Sequence, residues 1–94
     1  MTRQQIIIEI EKWRKYDYPR YYIGITDDID SRLYGDHNVD KENDVWIYCE
    51  ADNVTIARDV EQHFLDLGMK GGPGGGNYKS VFVYCYLIQR HTKE

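Results

Sequence analysis

Long apolar runs are missing from this sequence: none approaches the ~20 residues that a membrane-spanning helix requires. No apolar core follows the opening Met-Thr-Arg-Gln-Gln, as it would in a secretory leader, so a cytoplasmic, membrane-free location is expected. Cysteine is scarce as well. Cys49 and Cys85 stand without a Cys-x-x-Cys or Cys/His array, which argues for two small buried residues over a disulfide or a zinc site. The run Lys70-Gly71-Gly72-Pro73-Gly74-Gly75-Gly76-Asn77 lacks the Lys-Ser/Thr ending of a phosphate-binding P-loop, which argues against nucleotide binding, and it is too glycine-rich for regular structure.

Positive charge is sparse in the middle of the chain. Between Asp27 and Asp52 nine carboxylates face only Arg32 and Lys41, a balance of -7 within a chain of formal net charge -4. That stretch repels phosphates. The 94 residues are enough for one domain, 1–94, with one core. Nine tyrosines and 14% aromatic residues argue against disorder.

What is present organises around Tyr21-Tyr22-Ile23-Gly24-Ile25-Thr26, a run of β-branched and aromatic residues that hands over to an acidic segment with Ile29 and Leu33 at helical spacing. Before it, Gln4 to Trp13 alternates, with Ile6, Ile8 and Ile10 opposite Glu9 and Glu11, and predicts a first strand. The aperiodic segment from Arg14 to Arg20 reads as a hairpin tip returning into strand two, Tyr21 to Thr26. A helix over about Asp27 to Tyr34, acidic in its first turn and stopped by Gly35, comes next. His37 to Asp44 is a polar loop, and Val45 to Glu50 alternates as strand three.

Ile56, Val60, Phe64 and Leu67 then mark one face of a helix from Asn53 to Leu67, with Gly68 just past its end. Val81 to Ile88 closes the chain as a strand, with Val81, Val83, Cys85 and Leu87 on one side and Phe82, Tyr84 and Tyr86 on the other. The expected architecture is α+β: a small antiparallel sheet flanked by helices in the order β-β-α-β-α-β.

Three residues carry candidate chemistry. Glu61 sits about 100° around its helix from Val60, on the shoulder of the buried face. A carboxylate there needs a positive partner, either Arg58 on its own helix or a Mg²⁺ ion held by one carboxylate, waters and substrate phosphates. Arg32 could pair with Asp28 at i, i+4 or clamp a phosphate through two parallel hydrogen bonds. Tyr22 could be packing or part of a site. Lys12, Arg14, Lys15 and Arg20 interleave with Trp13, Tyr16 and Tyr18, either an ordinary exposed tip or cations for a nucleic-acid backbone beside aromatics for stacking.

Tyr22-Ile23-Gly24, Arg32 ten residues after Tyr22, Glu61 in a helix and Asn77 sixteen residues after it resemble the GIY-YIG nuclease family in order and spacing, from Gln4 to roughly Ile88. The resemblance implies metal-dependent hydrolysis of a nucleic-acid phosphodiester, DNA before RNA, with Mg²⁺ or Mn²⁺ as cofactor. Tyr22 would help deprotonate the attacking water, Arg32 would offset phosphoryl charge, and Glu61 would hold the metal. His37 would match a histidine frequently seen after the arginine, here one position later than usual, and Asn77 a polar residue near the site. The family's first motif, a Gly-Ile-Tyr on strand one, has no counterpart in Ile6-Ile7-Ile8-Glu9-Ile10, and the nearest tyrosines are Tyr16, Tyr18 and Tyr21. That absence and the acidic middle motivate an alternative: an inactive module of this fold that binds nucleic acid through its basic segment, or a basic protein partner through its acidic surface.

Overall fold

A computed structural model describes residues 1–72 and 76–94; the part of the expected glycine-rich loop at 73–75 lies outside them. The protein is α+β, with a three-stranded antiparallel sheet, two α-helices and a short π-helical turn. The strands are β1 (Tyr21–Thr26), β2 (Trp46–Glu50) and β3 (Phe82–Leu87), in sheet order β1-β3-β2. The strand latest in sequence is therefore central. No helix among the described residues is long and apolar enough to cross a membrane.

The first element corrects the expected strand: Arg3–Trp13 is a helix, α1. Its isoleucines satisfy both periods, but Ile6 and Ile10, four apart, are buried, whereas Ile8 is 46% exposed. A strand would have put all three on one face. Thr2 and Gln5 form a reciprocal capping box, with the Gln5 N–H donating to Thr2 Oγ1 at 3.2 Å and the Thr2 N–H to Gln5 Oε1 at 2.9 Å. The order thus begins α-β in place of β-β, and the segment after α1 is a helix-to-strand connection with a 3₁₀ turn at Tyr18–Arg20 rather than a hairpin tip.

Helix α2 (Val54–Asp66) follows the expected periodicity closely. Asn53 caps it, accepting from the Ile56 N–H at 2.9 Å. Gly68, at φ 113°, ends it: its N–H donates to Leu65 O and that of Met69 to Phe64 O, the paired bonds of a Schellman turn. Ala57, Val60, Glu61 and Phe64 are its buried residues, while Leu67, expected on that face, is 42% exposed beyond the last turn.

Strand alternation divides the core in two. Ile23, Ile25, Val83, Cys85 and Cys49 meet α1 and α2 on one sheet face, and both cysteines are buried free thiols as expected. Tyr84 and Tyr86 meet Leu33 and Val39 on the other, with Tyr22 and Trp46 packed alongside. The helix expected over Asp27 to Tyr34 is instead a π-type turn at Asp30–Asp36 that runs through Gly35, with the His37 N–H donating to Arg32 O at 3.0 Å, five residues back.

Candidate functional site

At the β1 side of the aromatic face, a cavity of about 190 Å³ is lined by Tyr22, Gly24, Ile25, Arg32, Glu61, Gly72 and Tyr84. Tyr22, Arg32 and Glu61, proposed from sequence as partners, thus meet although they come from β1, the π turn and α2. Each reaches the cavity for a local reason. Tyr22 is on the even-numbered face of β1, stacked against Tyr86 at 5.3 Å between centroids. Leu33 is completely buried beneath the π turn and anchors it, which leaves neighbouring Arg32 at the exposed rim. Glu61 follows Val60 around α2 to the edge of β1, the shoulder position its spacing implied.

Neither simple ion pair forms. Arg32 lies 3.4 Å from Asp36, a long contact between exposed groups, while the Asp28 carboxylate instead accepts from Ser31. Such a contact holds Arg32 weakly. Glu61 is 7% exposed and, among the described residues, has no hydrogen bond or ion pair; Arg58 acts on it only at a distance. Burial raises the Glu61 pKa above its ordinary value, with Arg58 opposing. A carboxylate so placed gains from a cation, and it fits Mg²⁺ in the mode where one carboxylate leaves most positions to water and phosphate oxygens. Among the described residues no three His, Cys, Asp or Glu side chains gather as a metal cage.

Tyr84 was not foreseen as a site residue. In the sheet register it stands opposite Gly24, and a Cβ at Gly24 would lie 2.4 Å from its hydroxyl oxygen. Glycine is required there so that the phenol can lie across β1 into the cavity. Behind it, His37 is 4% exposed and held at both nitrogens: Nδ1 is 2.6 Å from Lys93 O and Nε2 is 2.8 Å from Tyr84 Oη. A carbonyl only accepts, so Nδ1 carries the proton and Tyr84 O–H donates to Nε2. Burial lowers the His37 pKa, which keeps the ring neutral at pH 7 with Nε2 as the acceptor. His37 does not line the cavity itself; it reaches it through Tyr84.

Tyr22 is built differently. Burial raises its pKa, opposed by Arg32 and by the Gly72 backbone N–H, and among the described residues no basic side chain accepts its proton. Burial also pushes Tyr84 far up, so both phenols are neutral at rest.

The remaining sequence candidates do not join the cavity. Asn77 is exposed and its side-chain oxygen accepts from the Lys79 N–H at 2.8 Å, closing a turn. Lys12 and Arg14 lie 3.7 and 2.8 Å from Glu9 and Glu11, and Arg14 also stacks over Tyr18 at 3.9 Å. Arg20 covers Tyr16 at 4.4 Å, so the basic segment's aromatics already carry its own cations. Lys15 remains exposed, and its backbone N–H donates to Tyr21 Oη. Tyr21 itself is buried against Trp13 on the opposite sheet face from Tyr22. A lysine that sequence reasoning passed over is better placed: Lys70 lines a 570 Å³ groove that shares Tyr22 and Gly72 with the cavity. Compared with protein-family models, curated proteins and solved structures, the chain finds no match.

Proposed function

We propose that this cavity hydrolyses nucleic-acid phosphodiesters in the manner of the GIY-YIG nucleases, with Glu61 holding Mg²⁺ or Mn²⁺. The reading rests on one observation: a largely buried glutamate with no hydrogen bond or ion pair among the described residues, a weakly held guanidinium and two phenols share one cavity. A bound divalent ion would supply Lewis acidity toward a phosphoryl oxygen. Arg32 offers parallel donors to the phosphoryl oxygens and offsets charge that grows as water attacks. Tyr84 takes a proton from the attacking water as its own passes to His37 Nε2, and the resulting imidazolium keeps its Nδ1–H on Lys93 O. Tyr22, with no base behind it among the described residues, donates its O–H toward the phosphate or water. The expected base role thus moves from Tyr22 to the Tyr84–His37 pair on β3 and the segment after the π turn. Tyr16, Tyr18 and Tyr21, the tyrosines nearest the missing first motif, do not line the cavity.

Incubation with single- and double-stranded DNA and RNA in Mg²⁺ or Mn²⁺ tests this, with Glu61→Ala as the control. Metal-dependent cleavage by the wild type alone is expected, and DNA is the preferred substrate. Cleavage no greater than that of the control would overturn the reading. The acidic stretch favours the alternative, an inactive module that binds nucleic acid or a protein; cleavage that disappears in Tyr22→Phe would exclude it.

A further inference from the structure

A second cavity, of about 310 Å³, opens on the β2 side of the same sheet face. Its walls are the rings of Tyr34, Trp46, Tyr48 and Phe82, joined edge to face and face to face: Tyr34 meets Trp46 at 5.3 Å and 79°, Trp46 stacks on Tyr48 at 6.1 Å and 6°, and Tyr48 meets Phe82 at 6.0 Å and 72°. Tyr48 is 46% exposed, although it carries one of the larger apolar surfaces in the sheet. Asp27, Asp28 and Asp30 form the opposite rim. Asp28 is held by Ser31, whereas Asp27 and Asp30, both exposed, have no ion pair among the described residues. Ring faces carry negative potential, and the carboxylates add to it.

The chain supplies a cation of its own here. Lys41 lines the cavity and its ammonium lies 5.3 Å over the Tyr34 ring, held by no carboxylate among the described residues. Its backbone carbonyl accepts from Trp46 Nε1 at 2.9 Å, so the residue is tethered at its base while its long side chain is free to swing out. The geometry points to a docking site for an arginine or lysine side chain of a partner protein, the guest lying on Tyr48 and Trp46 with its charge toward Asp27 and Asp30. Charge complementarity selects this occupant over a nucleobase, whose attached phosphate the acidic rim repels.

Titration of the full chain with a blocked Gly-Arg-Gly-Arg-Gly peptide, its lysine counterpart and its neutral citrulline counterpart tests the site, read through the indole N–H resonance of Trp46. The arginine and lysine peptides are expected to shift that resonance saturably and the citrulline peptide not to. Tyr48→Ala and, separately, Asp30→Asn are expected to weaken binding by about tenfold. Both residues are exposed, so neither change threatens the core, and unchanged melting temperatures verify this. Lys41→Gln is expected to tighten binding by removing the tethered competitor. Equal response to the citrulline peptide, no response to any peptide, or a Trp46 shift produced by an oligonucleotide alone would each overturn the proposal.

Discussion

The two cavities share one aromatic sheet face and differ in what the chain places at their edges. On the β1 side the rim carries Arg32 and Glu61, which has no ion pair among the described residues; on the β2 side it carries three exposed aspartates and Lys41. The π turn supplies both edges, with Asp30 on one and Arg32 on the other, two residues apart in sequence. The rim thus changes from an aspartate to an arginine within two residues of chain. Of the nine carboxylates in the acidic stretch, Asp27, Asp28 and Asp30 line the β2-side cavity, whereas Asp36 lies beside Arg32 on the β1 side.

The largest effect that would break this contrast is expected from Glu61→Gln. Cleavage should fall at least a hundredfold, since a metal ion and its ligand supply several kcal/mol of charge stabilisation. Stability should not fall with it. Burial raises the Glu61 pKa above 4.5, so the folded state retains that proton longer than the unfolded chain and loses stability as pH rises past 4.5. Glutamine removes that loss, and the melting temperature at pH 7 should match or exceed wild type.

Tyr84→Phe sharpens the β1 side by removing only an oxygen. Loss of its bond to His37 should cost about 1 kcal/mol in denaturant titration, and cleavage should drop about a hundredfold if Tyr84 relays the proton. Gly24→Ala attacks the same contact from the other strand. The new methyl, 2.4 Å from Tyr84 Oη, should displace the phenol and destabilise the fold by about 1–3 kcal/mol, while peptide binding on the β2 side survives. The smallest effect concerns pH. The His37 pKa is lowered from 6.5, so the unfolded chain takes up this proton first, and stability present above pH 6.5 is lost as pH falls through the lower folded value. His37→Gln should flatten that part of the stability profile in melts between pH 7 and 5.

Much of this was readable in the sequence where one local period dominated. Tyr21–Thr26, Trp46–Glu50 and Val54–Asp66 repeat at two or at 3.6 residues with suitable ends, and Glu61's shoulder position followed from the helix period. Gln4–Trp13 failed because Ile6-Ile7-Ile8 with Ile10 fits either period, and the deciding signal was the capping pair Thr2 and Gln5 just outside the run. Strand alternation alone puts Tyr84 on its observed face, beside Phe82 and Tyr86. Its partner was not readable, because pairing Tyr84 with Gly24 depends on a register formed across about sixty residues of chain.

That register also dictates when the site can exist. β1 and β2 have no strand between them until Phe82–Leu87 has been synthesised, so neither edge strand can find its sheet partner before that segment is available. Tyr84 arrives in that same strand. Sheet closure and cavity assembly consequently depend on the same strand, and a chain that stops before residue 82 carries Tyr22, Arg32 and Glu61 but lacks the sheet that brings them together.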